Sequence, residues 1–126
     1  MRRLLLDTHV FLWWLADDPQ LGGEARAVIA EYENTVYVSA DMGWEISIKK
    51  ALGKLETPDG LDALVDSEGF EHLPVTFFHG EQVGMLPRHH KDPFDRMLIA
   101  QAQAAVRVVV TAKYDGLAEW DKACKS

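Results

Sequence analysis

The sequence predicts an α/β layer fold with a mainly parallel sheet. Two observations carry that reading. Short strand-like segments recur at residues 3–6, 36–39, 70–76 and 106–111; the first and last are apolar runs of the kind found in strands buried on both faces, and 36–39 is β-branched. Between them lie longer segments whose apolar positions repeat at helical spacing, and this alternation is the signature of parallel strands joined by crossover helices.

Element by element, Arg3 to Leu6 forms the first strand and ends at Asp7. Residues 10–16 continue as a helix that the Thr8 hydroxyl helps to start and Asp17-Asp18-Pro19 stops. Residues 24–32 form a helix with Ala25, Val28, Ile29 and Tyr32 on one face. Residues 42–55 form another, its stripe being Trp44, Ile48, Ala51, Leu52 and Leu55. Thr57-Pro58-Asp59 caps a helix reaching Ser67, residues 79–86 form a short one, and Asp92-Pro93 opens a strong helix through Ala105. Residues 117–124 add a last helical turn or two, and Met85 and Met97 belong to the core.

A chain of 126 residues, 48% apolar with four Trp and five Phe, has the size and core supply of one domain. Cys124 is the single cysteine, so no internal disulfide forms, which suits a reducing compartment. The apolar N-terminal run is broken by Asp7-Thr8-His9 without a signal-peptide cleavage pattern, and no run approaches a membrane span. These features predict a soluble, cytoplasmic protein. The net charge of −7 argues against broad electrostatic binding to nucleic acid, unless cations neutralise the carboxylates or local basic clusters act. Arg88-His89-His90-Lys91 is one such cluster, and Lys49, Lys50 and Lys54 another.

The carboxylates carry the functional argument. Asp7 ends a buried strand, where a charge is costly unless paired, hydrated or metal-bound; a turn or capping role is the ordinary alternative. Glu45 lies near a helix start and four residues before Lys49, so a dipole contact or an exposed ion pair also explains it. Asp92 has the N-cap position, Pro93 the first helical one and Asp95 the third, so capping explains Asp92 and leaves Asp95 to project past the helix end. Carboxylates about 4 Å apart repel by roughly 4 kcal/mol at an effective dielectric near 20. Three together therefore need raised pKa values or a cation. Oxygen-only donors suit Mg2+ or Mn2+, and the adjacent His89-His90 with a distant lone cysteine disfavours zinc. Such a centre suits phosphodiester hydrolysis, with Arg96 or Lys49 holding the phosphate backbone.

Leu5-Leu6-Asp7-Thr8-His9-Val10, Ser39-Ala40 through Trp44-Glu45-Ile46, and Asp92-Pro93-Phe94-Asp95-Arg96 through Leu98-Ile99-Ala100 together resemble the PIN-domain toxins called VapC, in that family's order and spacing. The resemblance implies a three-layer α/β/α fold and Mg2+- or Mn2+-dependent endoribonuclease activity. It also implies growth arrest as a toxin, neutralisation by a VapB antitoxin, and a homodimer. It makes Asp7, Glu45 and Asp95 the acidic ligands, with Thr8 and Ser39 as secondary ligands through hydroxyls or water. One departure stands out. The family often carries a fourth acid after the last strand, where this sequence has Lys113. Asp115 reaches in instead, or three acids suffice; Lys113 would contact substrate phosphate or weaken the metal site.

Trp13-Trp14 is read as core or dimer packing ahead of RNA stacking, and His9 as a packed or surface residue. A haloacid-dehalogenase-type phosphatase would need an acid where His9 stands. A receiver-like signalling domain fits Thr111 and Lys113 but lacks the acidic pair and the phosphoacceptor. A non-catalytic PIN-fold binding module is the remaining alternative.

Overall fold

The computed structural model describes residues 2–86, 92–105, 108–111 and 116–119. The cluster at 88–91, Lys113, Asp115 and Cys124 lie outside the described residues. Eleven elements follow one another: β1 (Arg3–Leu6), α1 (Thr8–Ala16), α2 (Gly23–Ala30), β2 (Thr35–Ser39), α3 (Ala40–Ala51), α4 (Leu61–Ser67), β3 (Glu71–Leu73), α5 (Phe77–Met85), α6 (Pro93–Ala105), β4 (Val108–Thr111) and β5 (Gly116–Glu119).

The sheet order is β3-β2-β1-β4-β5. β1 pairs in parallel with β2 and β4, β2 in parallel with β3, and β5 runs antiparallel to β4. The predicted α/β/α class is therefore observed, with one antiparallel edge. The expectation of helix at 117–124 is corrected at its start: Gly116–Glu119 pairs with β4 residue for residue, and satisfying β4's outer backbone groups outweighs a weak local helical pattern.

Side-chain alternation on the central strands builds the layers. Leu4 and Leu6 of β1 join Val36 and Val38 of β2 in a core with Val10, Phe11, Ala25, Ile29, Met42, Ile46 and Val65, contributed by α1 to α4. Leu5 points the other way, packing with Tyr37, Leu73, and Leu98 and Ala102 of α6. Full burial of a leucine contributes roughly 1.5–3 kcal/mol, and all three β1 leucines are fully buried. Both tryptophans of α1 lean on the larger core; Trp14 packs tilted against Phe70, ring centroids 6.1 Å apart, and donates to Glu68 Oε1 at 2.7 Å. The core reading of that pair holds.

Several local expectations are corrected. Asp7, not Thr8, caps α1. α2 stops at Ala30 because Asn34 Nδ2 takes the Val28 carbonyl, leaving Tyr32 97% exposed. α4 begins after Gly60, whose φ of 74° provides the left-handed turn, so Thr57-Pro58-Asp59 precedes the helix without capping it. Met85 is exposed, not core. On α3 the buried residues are Asp41, Met42, Glu45 and Ile46, while Trp44, Ile48 and Leu52 of the expected apolar stripe face outward. Among the described residues, no helix is long and apolar enough to cross a membrane.

Candidate active site

Chain order in the sheet places the site. From β1 the chain adds β2 and β3 on one side, then crosses to place β4 on the other. β1 therefore stands at a topological switch point, and ligands of such sheets gather beyond the carboxyl ends of the strands there. Asp7 is the residue that follows β1.

Asp7 is half-buried, and its Oδ1 accepts from Val10 N at 2.9 Å, capping α1. The adjacent Thr8 is buried and donates its hydroxyl proton to Glu45 Oε1 at 2.5 Å. Glu45, 6% exposed, accepts at its other oxygen from Lys49 Nζ at 2.7 Å. The strand end and the middle of α3 are thereby joined through one carboxylate. The i,i+4 pair anticipated in the sequence exists, but around a buried acid.

α3 is held at its start by Ser39. Its Oγ accepts from Asp41 N at 3.0 Å and donates to Gln101 Oε1 at 2.5 Å. Gln101 is fully buried on α6 and donates in turn to Pro74 O at 3.2 Å. Ser39 thus links β2, α3 and α6, which fixes where the acids of the two helices lie.

Sequence reasoning missed Asp41. It is 5% exposed, and its Oδ2 has no hydrogen-bond partner. Burial first, then the charges of Glu45, Asp92 and Asp95, push its carboxyl up from the ordinary 3.8 to about 7. The signal was present: Asp41 precedes Glu45 by one helical turn, so the two share a face. Assigning the Trp44 stripe to the core turned that face outward.

At the opening of α6, Asp92 Oδ1 accepts from Phe94 N at 2.8 Å and Asp95 N at 3.1 Å, the predicted cap. Asp95 is exposed in the first turn, and its charge reaches both Asp41 and Lys49. The Lys49 ammonium is pushed up chiefly by its hydrogen bond to Glu45, against an opposing effect of burial and with help from the charges of Glu45, Asp92 and Asp95. Arg96 is turned elsewhere: its Nη2 donates to Val83 O at 2.6 Å and Leu86 O at 3.4 Å, at the end of α5.

Asp7, Glu45 and Asp95 are thus carried by β1's end, α3 and α6, with Asp41 and Lys49 between the helices. Among the described residues no three His, Cys, Asp or Glu side chains are arranged to enclose an ion; Glu45 turns to Thr8 and Lys49, and Asp92 to its own helix.

The family model described as the PIN domain matches residues 4–119. The chain belongs to the PIN-domain family. No curated protein matches it. PIN domains are generally nucleases. Whether a divalent cation suits this PIN domain is answered by its donors. They are carboxylate oxygens with neighbouring hydroxyls, the hard donors that Mg2+ and Mn2+ take. One of them, Asp41 Oδ2, is buried with no donor of its own. The donor atoms suit such a cation in chemistry, while among the described residues no three acidic side chains are arranged to enclose one.

Proposed function

We propose that the protein is a Mg2+- or Mn2+-dependent endoribonuclease, the toxin of a type II toxin–antitoxin pair neutralised by a VapB-type antitoxin. The observation that carries the hydrolytic reading is the Thr8–Glu45–Lys49 chain beside Asp7 at the end of β1, with the charges of Asp92 and Asp95 of the α6 end acting on Lys49.

In this reading Asp7, Glu45 and Asp95 hold the cation. When bound, the cation supplies an activated water and offsets charge growing on a phosphoryl oxygen. Hydrolysis forms one bond from the water oxygen to phosphorus and breaks one to a ribose oxygen, which leaves with a proton. Thr8 fixes the Glu45 carboxylate in place, and Lys49 offsets its charge. Lys49 also puts a cation beside the acids, where it draws in the RNA phosphate backbone of an otherwise acidic protein. Ser39 serves by setting the start of α3, through its bonds to Asp41 N and Gln101. Arg96, engaged with α5, supports the scaffold. Large exposed apolar side chains, Trp44, Leu52, Phe77, Phe78 and Met85, support a protein partner, either the antitoxin or a second copy in a homodimer.

The test is incubation of the purified protein with cellular RNA in Mg2+, Mn2+ or EDTA. Cleavage that needs metal and disappears in Asp7→Asn supports the ribonuclease. Cleavage that survives EDTA or that substitution overturns it. Growth arrest on expression, relieved by the product of an adjacent small reading frame, tests the toxin role.

A further inference from the structure

The nuclease reading leaves His79 without a task. It is the third residue of α5 and only 6% exposed. The ordinary explanation is local. The Thr76 hydroxyl accepts from His79 N at 3.2 Å, and His79 Nδ1 accepts in return from Thr76 N at 3.0 Å, which closes a capping box. Glutamate or glutamine usually stands at this place, and neither has to be buried to serve. A glutamate here would carry its charge out of water at a cost. A neutral imidazole closes the same box without one.

The histidine also reaches beyond its own helix. Nδ1 lies 3.5 Å from Nε2 of Gln101, the fully buried amide of α6. That nitrogen donates to Pro74 O at 3.2 Å, while Gln101 Oε1 accepts from Ser39 Oγ at 2.5 Å. Ser39 Oγ in turn accepts from Asp41 N at 3.0 Å. These bonds have one consistent direction. A backbone N–H can only donate, so the bond from Thr76 leaves Nδ1 without a proton and places the ring proton on Nε2. Two acceptors, Nδ1 and Pro74 O, then face the amide nitrogen of Gln101, and its oxygen is turned to Ser39. Ser39 gives its proton to that oxygen and keeps its lone pairs for Asp41 N. The bonds join the start of α5, the middle of α6, the end of β2 and the start of α3, and Glu45 and Asp95 stand on two of the helices so tied.

We propose that His79 is a positioning residue of the nuclease site: its Nδ1 holds the Gln101 amide in one orientation, and Gln101 through Ser39 sets α3, which carries Glu45, against α6, which carries Asp95. The consequence for cleavage rests on the nuclease reading. The link from His79 to α3 rests on the hydrogen bonds alone.

The test uses the full chain. Long-range proton–nitrogen correlation spectra of the wild type at neutral pH should show His79 with an unprotonated Nδ1 and a protonated Nε2. This measurement needs no variant. His79→Leu removes the acceptor, and His79→Asn restores one near the place of Nδ1, with circular dichroism reporting whether each is folded. In His79→Leu the Gln101 side-chain amide protons should lose their protection from exchange, and the Asp41 amide resonance should shift. The Val10 amide, capped by Asp7 on α1, should not move. Steady-state RNA cleavage should fall by about tenfold or more in kcat with KM near wild type, and His79→Asn should recover part of both responses. A protonated Nδ1 in the wild type, or wild-type Gln101 and Asp41 signals in His79→Leu, overturns the proposal. Altered signals with wild-type kcat confine His79 to the scaffold and overturn its role at the site. No cleavage by the wild type, with the Gln101 and Asp41 responses as expected, overturns the nuclease reading instead and leaves the link from His79 to α3 standing.

Discussion

Thr8 donates to Glu45 across 37 positions of sequence, from the first residue of α1 to a buried carboxylate in the middle of α3. The bond is 2.5 Å long and buried, so neither partner has water as an alternative. Thr8→Val keeps the shape of the side chain and removes the proton. The Glu45 oxygen is then buried without its donor, at a cost of about 1–3 kcal/mol. Urea unfolding should show that loss, and Thr8→Ser should recover most of it. RNA cleavage should fall in Thr8→Val beyond what the stability change explains, because Glu45 loses its fixed orientation.

Asp41 makes stability depend on pH in a direction opposite to most carboxylates. Its folded-state pKa is about 7, above the ordinary 3.8. Below the ordinary value both states hold the proton and nothing is lost. Between the two values the unfolded chain ionises first, so stability falls as pH rises, levelling off above about 7. At ~1.4 kcal/mol per pKa unit the full effect is on the order of 4 kcal/mol. Denaturation in EDTA from pH 4 to 8 should show this decline, and Asp41→Asn should flatten it.

What the sequence made legible follows from how local each signal is. β1 and the opening of α6 were readable because a strand of leucines ending in Asp7, and Asp92 before Pro93, act through their immediate neighbours. The strand at Gly116–Glu119 was not, since its pairing with β4 is decided by a partner's free edge. Asp41 was hidden for a related reason. Choosing the buried face of α3 by hydrophobicity selects Trp44, Ile48 and Leu52, yet the fold turns Asp41 and Glu45 inward. An acidic site violates the rule that the apolar face is the inner one, and hydrophobicity alone cannot announce the exception, although the one-turn spacing of Asp41 and Glu45 marks their shared face.

Ser39 and Gln101 should behave as one unit. Ser39→Ala removes the α3 cap, worth about 1 kcal/mol, and leaves the fully buried Gln101 Oε1 without its 2.5 Å donor. Gln101→Ala leaves the Ser39 cap in place and empties volume between α6 and β2. The double variant should therefore cost less than the two single losses combined, and a double-mutant cycle by chemical denaturation measures the coupling. The same cycle on Mn2+ affinity reports whether this link positions the acids of α3.

Arg96 follows Asp95 and invites assignment to phosphate binding, but its guanidinium caps α5. Val83 O and Leu86 O lie at the carboxyl end of that helix, where carbonyls lack helical donors and the dipole is negative. Hydrogen bonds from a charged donor contribute roughly 1.5–3 kcal/mol, so Arg96→Ala should lower stability by about that amount and loosen the packing of α5 on α6. Arg96→Lys should recover only part, because the shorter and more strongly hydrated ammonium does not reproduce the reach of the guanidinium Nη2 to both carbonyls. Steady-state cleavage separates the two roles for the cations of this site. Lys49→Met should raise the KM for RNA, while Arg96→Lys, assayed well below its melting temperature, should leave KM near wild type. A KM rise in Arg96→Lys matching that of Lys49→Met would return Arg96 to the substrate.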